Sequence, residues 1–181
     1  MNRTRTAAFA AFALVGLSAV AMTSASAELP KGANAPGFTT RAALAGNEFG
    51  FALRAALAKG PVVLYFYPKA FTLGCTLEAN AFADAMPQFK AAGASVIGMS
   101  GDDIETLKKF SREECRDAFP VGVSTDKISA AYEVKIGKGT MTTRTSYVIA
   151  QDGRIAAVHS NPDYKDHVAQ TLAAVRALKK K

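Results

Sequence analysis

Residues 61–67, Pro-Val-Val-Leu-Tyr-Phe-Tyr, constrain the fold of this chain more than any other stretch. An unbroken apolar, β-branched and aromatic run predicts a buried strand. Pro68 has no N–H to give a sheet ladder and ends the strand. A short loop follows, and Cys75 opens a segment, Cys-Thr-Leu-Glu-Ala-Asn-Ala-Phe-Ala-Asp-Ala-Met, that reads as a helix. A thiol at a helix start meets unpaired backbone N–H groups and the positive end of the helix dipole. Both favour the thiolate, so Cys75 is expected to be nucleophilic. Thr72, three residues earlier, brings a hydroxyl near the sulfur.

Pro68, Thr72 and Cys75 form a Pro-x-x-x-Thr-x-x-Cys pattern that resembles the active-site loop of the peroxiredoxins. Residues 67–76, with Glu78 just after, are most similar to the bacterioferritin-comigratory, or peroxiredoxin Q, branch. Two further segments carry the resemblance. Ala35-Pro36-Gly37-Phe38 is similar to the family's N-terminal signature, and residues 143–153 to a segment with an arginine before a strand and an Asp-Gly turn. The likeness runs from about residue 35 to residue 178.

The resemblance implies a thiol peroxidase that reduces hydrogen peroxide and small organic hydroperoxides without metal, haem or flavin. Electrons would come from a thioredoxin-like protein or a small thiol. Cys75 becomes the peroxidatic cysteine, whose thiolate attacks one peroxide oxygen and is left as a sulfenic acid. Arg144 becomes the cation, able to give two directed hydrogen bonds to the peroxide oxygens. Thr72 would bond the thiolate and orient the substrate. Pro68 would shield the sulfur. Glu78 is expected to stabilise the first helical turn, and Phe71 to line the pocket mouth.

Two positions depart from the family pattern. Many relatives carry a second cysteine five residues after the first, where this chain has Asn80, and a proline where it has Leu73. A disulfide within that helix is therefore ruled out. Cys115 is the remaining candidate for a resolving cysteine, near the end of the next predicted helix. Bridging needs α-carbons within about 7 Å, so both helices would have to unwind locally. Otherwise the enzyme uses one cysteine and an external thiol.

The chain starts with Arg3 and Arg5, an apolar stretch over residues 7–22, and Ala25-Ser26-Ala27 before Glu28. This is the layout of a secretory signal peptide, residues 1–27, leaving a single domain of residues 28–181. The alternative is a membrane anchor, since the apolar run approaches spanning length, but it is Ala-rich and ends in a cleavage site. Export to the periplasm or the medium is the expectation, with no stable membrane association after cleavage. Without Arg3 and Arg5 the formal charge falls from +7 to +5, and only Lys179-Lys180-Lys181 clusters it. No nucleic-acid motif accompanies that tail. The two cysteines and two histidines show neither a CxxC motif nor ligand spacing, which argues against a zinc site. His159 and His167 read as surface residues. A monomer or weak dimer is expected.

The remaining pattern places elements in order. Residues 42–58 are expected to give a short strand, a turn and a helix, and residues 75–92 a helix closed by Gly93. Residues 95–99 form a second buried strand. Asp103 caps a helix over residues 104–114. A third strand covers residues 119–123, and Asp126 caps a short helix. Residues 144–150 and 154–159 flank Gln151-Asp152-Gly153 as a hairpin, and a helix runs over residues 164–178. Crossover-linked and hairpin-linked strands together predict an α/β chain with a mixed central sheet flanked by helices, the layout of the thioredoxin-like fold. Two other functions fit that fold: a thiol-disulfide oxidoreductase, which the missing CxxC opposes, and a non-catalytic binding module with an inert Cys75.

Overall fold

The computed structural model describes residues 28–179. The leader-like segment 1–27 and the last two lysines lie outside the described residues. In chain order the elements are β1 (Thr39–Leu44), β2 (Asn47–Ala52), α1 (Leu53–Leu57), β3 (Val62–Phe66), α2 (Leu73–Ala91) and β4 (Ser95–Ser100). There follow α3 (Ile104–Glu113), β5 (Val121–Val123), α4 (Asp126–Ala131), β6 (Thr145–Ile149), β7 (Ile155–Ser160) and α5 (His167–Leu178).

One mixed seven-stranded sheet runs β2-β1-β5-β4-β3-β6-β7. β3 pairs parallel with β4 and antiparallel with β6, and every residue of β3 is buried. Side chains alternate across a strand, so β3 feeds two cores. Val63, Tyr65 and Tyr67 join one that includes Phe82, Phe89, Phe110, Cys115 and Val175 from the α2, α3 and α5 side. Val62, Leu64 and Phe66 join the other, with Tyr132 and Tyr147. The Tyr65 ring stacks on Phe82 with centroids 4.3 Å apart. It packs against Gly98, where a Cβ would come within 2.7 Å of the tyrosine ring. Among the described residues no helix is long and apolar enough to cross a membrane.

Three expectations change. Residues 39–52 form a hairpin of two strands rather than one strand and a turn. Its loop is Ala45-Gly46, with φ of 52° and 76°, a pair of left-handed residues that matches strand twist, with the usual glycine second but alanine where asparagine is usual. Thr125, not Asp126, caps α4, its Oγ1 accepting from the Ile128 amide at 3.4 Å. α5 begins at His167 instead of Tyr164. The preceding residues are held in side-chain turns, with the Asp163 amide on Asn161 Oδ1 at 2.9 Å and the Lys165 amide on Asp163 Oδ1 at 3.2 Å. The Asp103 cap of α3 stands as read, accepting from the Thr106 amide at 2.8 Å.

The Ala45 conformation yields a stability prediction. A left-handed alanine costs about 1 kcal/mol that asparagine largely avoids. Ala45→Asn should therefore raise the urea midpoint by an amount worth about 1 kcal/mol, with an unchanged m-value. A lowered midpoint would show that this turn is not strained.

Candidate active site

α2 starts at Leu73, so Cys75 is the third residue of the helix rather than its first. Thr72 is the extended N-cap residue, and its carbonyl accepts from the Thr76 amide at 2.9 Å. The amides of Leu73, Gly74 and Cys75 therefore have no intrahelical acceptor. The Thr72 side chain does not cap them. Its hydroxyl instead donates to the Lys69 carbonyl at 3.0 Å. The expected bond from Thr72 to the sulfur is thus absent here. With its proton committed to Lys69, the exposed hydroxyl keeps lone pairs free to accept.

The loop before α2 is pinned from three sides. Asp102 Oδ2 accepts from the Ala70 amide at 2.7 Å and from Ser100 Oγ at 2.8 Å. Thr142 Oγ1 donates to the Tyr67 carbonyl at 3.0 Å. Phe71 takes a left-handed φ of 62° and sets its ring edge-on to Phe110 at 5.2 Å. Pro68 sits half-buried at the turn out of β3. Asp102 and Thr142 were not singled out by the sequence, because a lone acid and a lone hydroxyl carry no signal without the neighbouring loop.

Cys75 is 2% exposed, and its sulfur lies 3.5 Å from Nη2 of Arg144, a residue 69 positions later. β6 antiparallel to β3 brings that arginine, which immediately precedes Thr145, to the α2 end of the central strand. Gly74 permits the approach, since a Cβ there would stand 3.2 Å from Nη2. The guanidinium is clamped by its other nitrogens. Nε donates to the Pro162 carbonyl at 3.0 Å, and Nη1 donates to Glu78 Oε2. Glu78 is three residues after Cys75, so both face the same side of α2 and one arginine reaches both. This pairing, more than the helix dipole, is what Glu78 does. Burial pushes its carboxyl up to about 8 even though Arg144 pulls it down.

The histidines are not surface residues as a pair. His167 is fully buried, and the His159 ring lies 4.5 Å from it. α5 folds back onto α2, which carries His167 to within 3.7 Å of Glu78. Nothing in the sequence spacing linked residues 78 and 167. Two surface grooves of about 510 and 550 Å³ are lined by other segments, and neither includes Cys75, Thr72 or Arg144.

Cys115 and Cys75 are both free and buried. Cys115 follows α3, with its amide on the Phe110 carbonyl at 3.0 Å. Its neighbours attach to α2. Glu114 Oε2 accepts from Asn80 Nδ2 at 3.3 Å, and Arg116 Nη2 donates to the Asn80 carbonyl at 2.8 Å and to Asp84 at 2.6 Å. The second cysteine therefore belongs to a segment latched onto Asn80, the position where many relatives carry it. At 1.5 Å per residue, Asn80 stands about 7.5 Å along the helix axis from Cys75. Burial pushes the Cys115 thiol well above its ordinary range.

The arrangement is a thiol at a helix start, a guanidinium on its sulfur and unpaired amides beside it. Residues 32–158 match the model of the AhpC/TSA family. Peroxiredoxin Q from Oryza sativa subsp. japonica, a chloroplastic protein, is 34% identical over 154 residues, covering 83% of this chain and 69% of that one. Peroxiredoxin Q from Sedum lineare is 33% identical, covering 84% and 81%. The chain belongs to the AhpC/TSA family, on its peroxiredoxin Q branch. Among solved structures, peroxidoxin BcpB from Mycobacterium tuberculosis superposes with a TM-score of 0.75 at 31% identity, over 82% of this chain and 97% of that one. Xanthomonas campestris peroxiredoxin Q gives 0.67 at 28% identity, over 76% and 89%. This peroxiredoxin is a thiol peroxidase with a thioredoxin-like fold, a mixed sheet between layers of helices.

Proposed function

We propose that this peroxiredoxin reduces hydrogen peroxide and small alkyl hydroperoxides at Cys75, outside the cytoplasm, and that Cys115 resolves the oxidised form. The observation that carries the peroxide step is Arg144 Nη2 at 3.5 Å from Cys75 Sγ, at the start of α2. The thiolate gives an electron pair to the near peroxide oxygen. An S–O bond forms and the O–O bond breaks. The far oxygen leaves as hydroxide or alkoxide and takes a proton, and Cys75 is oxidised to sulfenic acid. Negative charge moves from sulfur to the leaving oxygen, so donors must face both. In this reading Arg144, already on the sulfur, and the free amides at the start of α2 supply those donors. Thr72 accepts the peroxide proton, which orients the substrate. Pro68 walls the loop. Leu73 is 77% exposed beside Phe71 and Leu77, an apolar rim suited to an alkyl tail.

Resolution requires movement. The segment carrying Cys115 hangs on Asn80 and Asp84, on the turns of α2 that follow Cys75. It ends in two left-handed non-glycine residues, Arg116 and Asp117, with φ of 51° and 58°. Such residues store about 1 kcal/mol each, which favours local opening. Unwinding the first turns of α2 therefore frees both thiols together. A sulfenic acid and a thiol then condense to a disulfide and water. A thioredoxin-like protein or a small thiol supplies the two electrons that reduce it.

Mass spectrometry after one equivalent of peroxide tests this. A Cys75–Cys115 disulfide within one chain is expected in the wild type. Cys115→Ser should instead hold one added oxygen and proceed to higher oxides. A wild type that over-oxidises as fast as Cys115→Ser would make this a one-cysteine enzyme. The same spectra test export, which rests on the leader at residues 1–27: protein recovered from cells should begin at Glu28.

A further inference from the structure

One oxygen of the buried carboxyl is stranded. Arg144 Nη1 takes Glu78 Oε2, while Oε1 is buried and has no hydrogen-bond partner. His167 Nδ1 lies 3.7 Å from it. The other ring nitrogen, Nε2, is 2.9 Å from the Asn161 carbonyl oxygen. A carbonyl only accepts, so Nε2 carries a hydrogen. In a neutral ring Nδ1 is then a lone pair, and Ser146 Oγ at 2.8 Å donates to it. An ionised Glu78 would thus turn a bare carboxylate oxygen toward a bare ring nitrogen, away from water. Stranding a buried charged acceptor is costly.

A single proton removes the conflict. On Oε1 it leaves a neutral carboxyl, not a bare charge, facing Nδ1. On Nδ1 it makes an imidazolium facing a carboxylate. We propose that Glu78 and His167 hold one proton between them at neutral pH, and that His167 is thereby a positioning residue that leaves the charge of Arg144 for the Cys75 thiolate.

The reason is charge balance, and it rests on the reading of Cys75 and Arg144 given above. Arg144 contacts both the sulfur and Glu78. If thiolate and carboxylate were both ionised with no further proton, two buried anions would share one guanidinium. With the proton present, the thiolate and the guanidinium balance. Other charged or titratable groups near His167 are His159 on β7, Arg144 before β6 and Asp166 just before the ring's own helix. Burial pushes His167 down to about 4, and burial pushes Glu78 up to about 8. Both directions leave the ring neutral and the carboxyl protonated at pH 7. Above about pH 8 the pair loses its proton, and Glu78 competes with the thiolate for Arg144.

The test is the pH dependence of the second-order rate of reduced full-length protein with hydrogen peroxide. The wild type should lose rate on the alkaline side. Glu78→Gln cannot ionise, so that alkaline loss should vanish. His167→Asn keeps a polar group for Ser146 but cannot share a proton. Its alkaline loss should begin about one pH unit lower, which leaves the rate at pH 8 about fivefold below that of the wild type. Adding His167→Asn to Glu78→Gln should not shift the profile further. An alkaline loss unchanged in either single variant overturns the proposal. A second measurement needs no variant and no activity. Infrared and ¹⁵N spectra of the wild type at pH 7 should show a protonated carboxyl or a His167 imidazolium that disappears at alkaline pH. Absence of both overturns the proposal even if Cys75→Ser is inactive and the reading of the site stands.

Discussion

Replacing Cys75 by serine should lower peroxide reduction by about a thousandfold or more while leaving the fold intact. The hydroxyl of serine is neither ionised near neutral pH nor able to take an oxygen from peroxide as sulfur does. The fold is spared because the exchange is nearly isosteric. The sulfur is 2% exposed and faces Arg144 Nη2, a donor that a serine oxygen can also meet. The stability change should stay within about 1–2 kcal/mol. Peroxide consumption with a thiol reductant measures the loss, and circular dichroism with thermal unfolding measures the fold. Retention of most of the activity by folded Cys75→Ser would remove Cys75 from the chemistry.

Arg144→Ala should slow the reaction with peroxide by about 10²–10³-fold, the usual cost of one preorganised donor at a developing charge. It should also lower the thiolate fraction of Cys75 at neutral pH, since the cation on the sulfur is gone. The variant should be less stable than the wild type. Arg144 also ties Glu78 and the Pro162 carbonyl, and an abandoned buried carboxylate can cost about 3–5 kcal/mol. Proton uptake by Glu78 caps that cost, so the loss should be smaller below about pH 8 than above it. The sign follows from the raised carboxyl. A folded-state value above the unfolded one stabilises at low pH and is lost as pH rises through it. Arg144→Lys should recover little, because an ammonium lacks the planar fork that reaches the sulfur, Glu78 and Pro162 together. Stopped-flow rates on the folded fraction decide the matter, and an unchanged rate would place Arg144 outside the reaction.

The strand at residues 61–67, its end at Pro68 and the helix behind Cys75 were legible from local pattern alone. Each depends on forces acting over a few residues: a run of apolar side chains, a missing N–H, and helical spacing. The Asp103 cap and the hairpin at Gln151-Asp152-Gly153 were legible for the same reason. The first hairpin was not, because Ala45 adopts a left-handed turn that its residue type does not announce. Within the site, Cys75, Thr72 and Arg144 were marked by the resemblance of their segments to the peroxiredoxin pattern. The sequence could not assign the Thr72 hydroxyl to Lys69, because bond direction in a loop is set by the loop's own closure. Glu78 could have been paired with Arg144 from its place three residues after Cys75 on one helix face. The neighbourhood of Glu78 and His167 could not, nor the latch of Arg116 onto Asn80 and Asp84. Those contacts span 89, 36 and 32 residues and exist only because α5 packs against α2 and the segment after α3 is held beside it. Local pattern determines which groups the chain carries and which element presents each. Which of them share a proton, a cation or a hinge is decided when distant helices close over one face of the sheet.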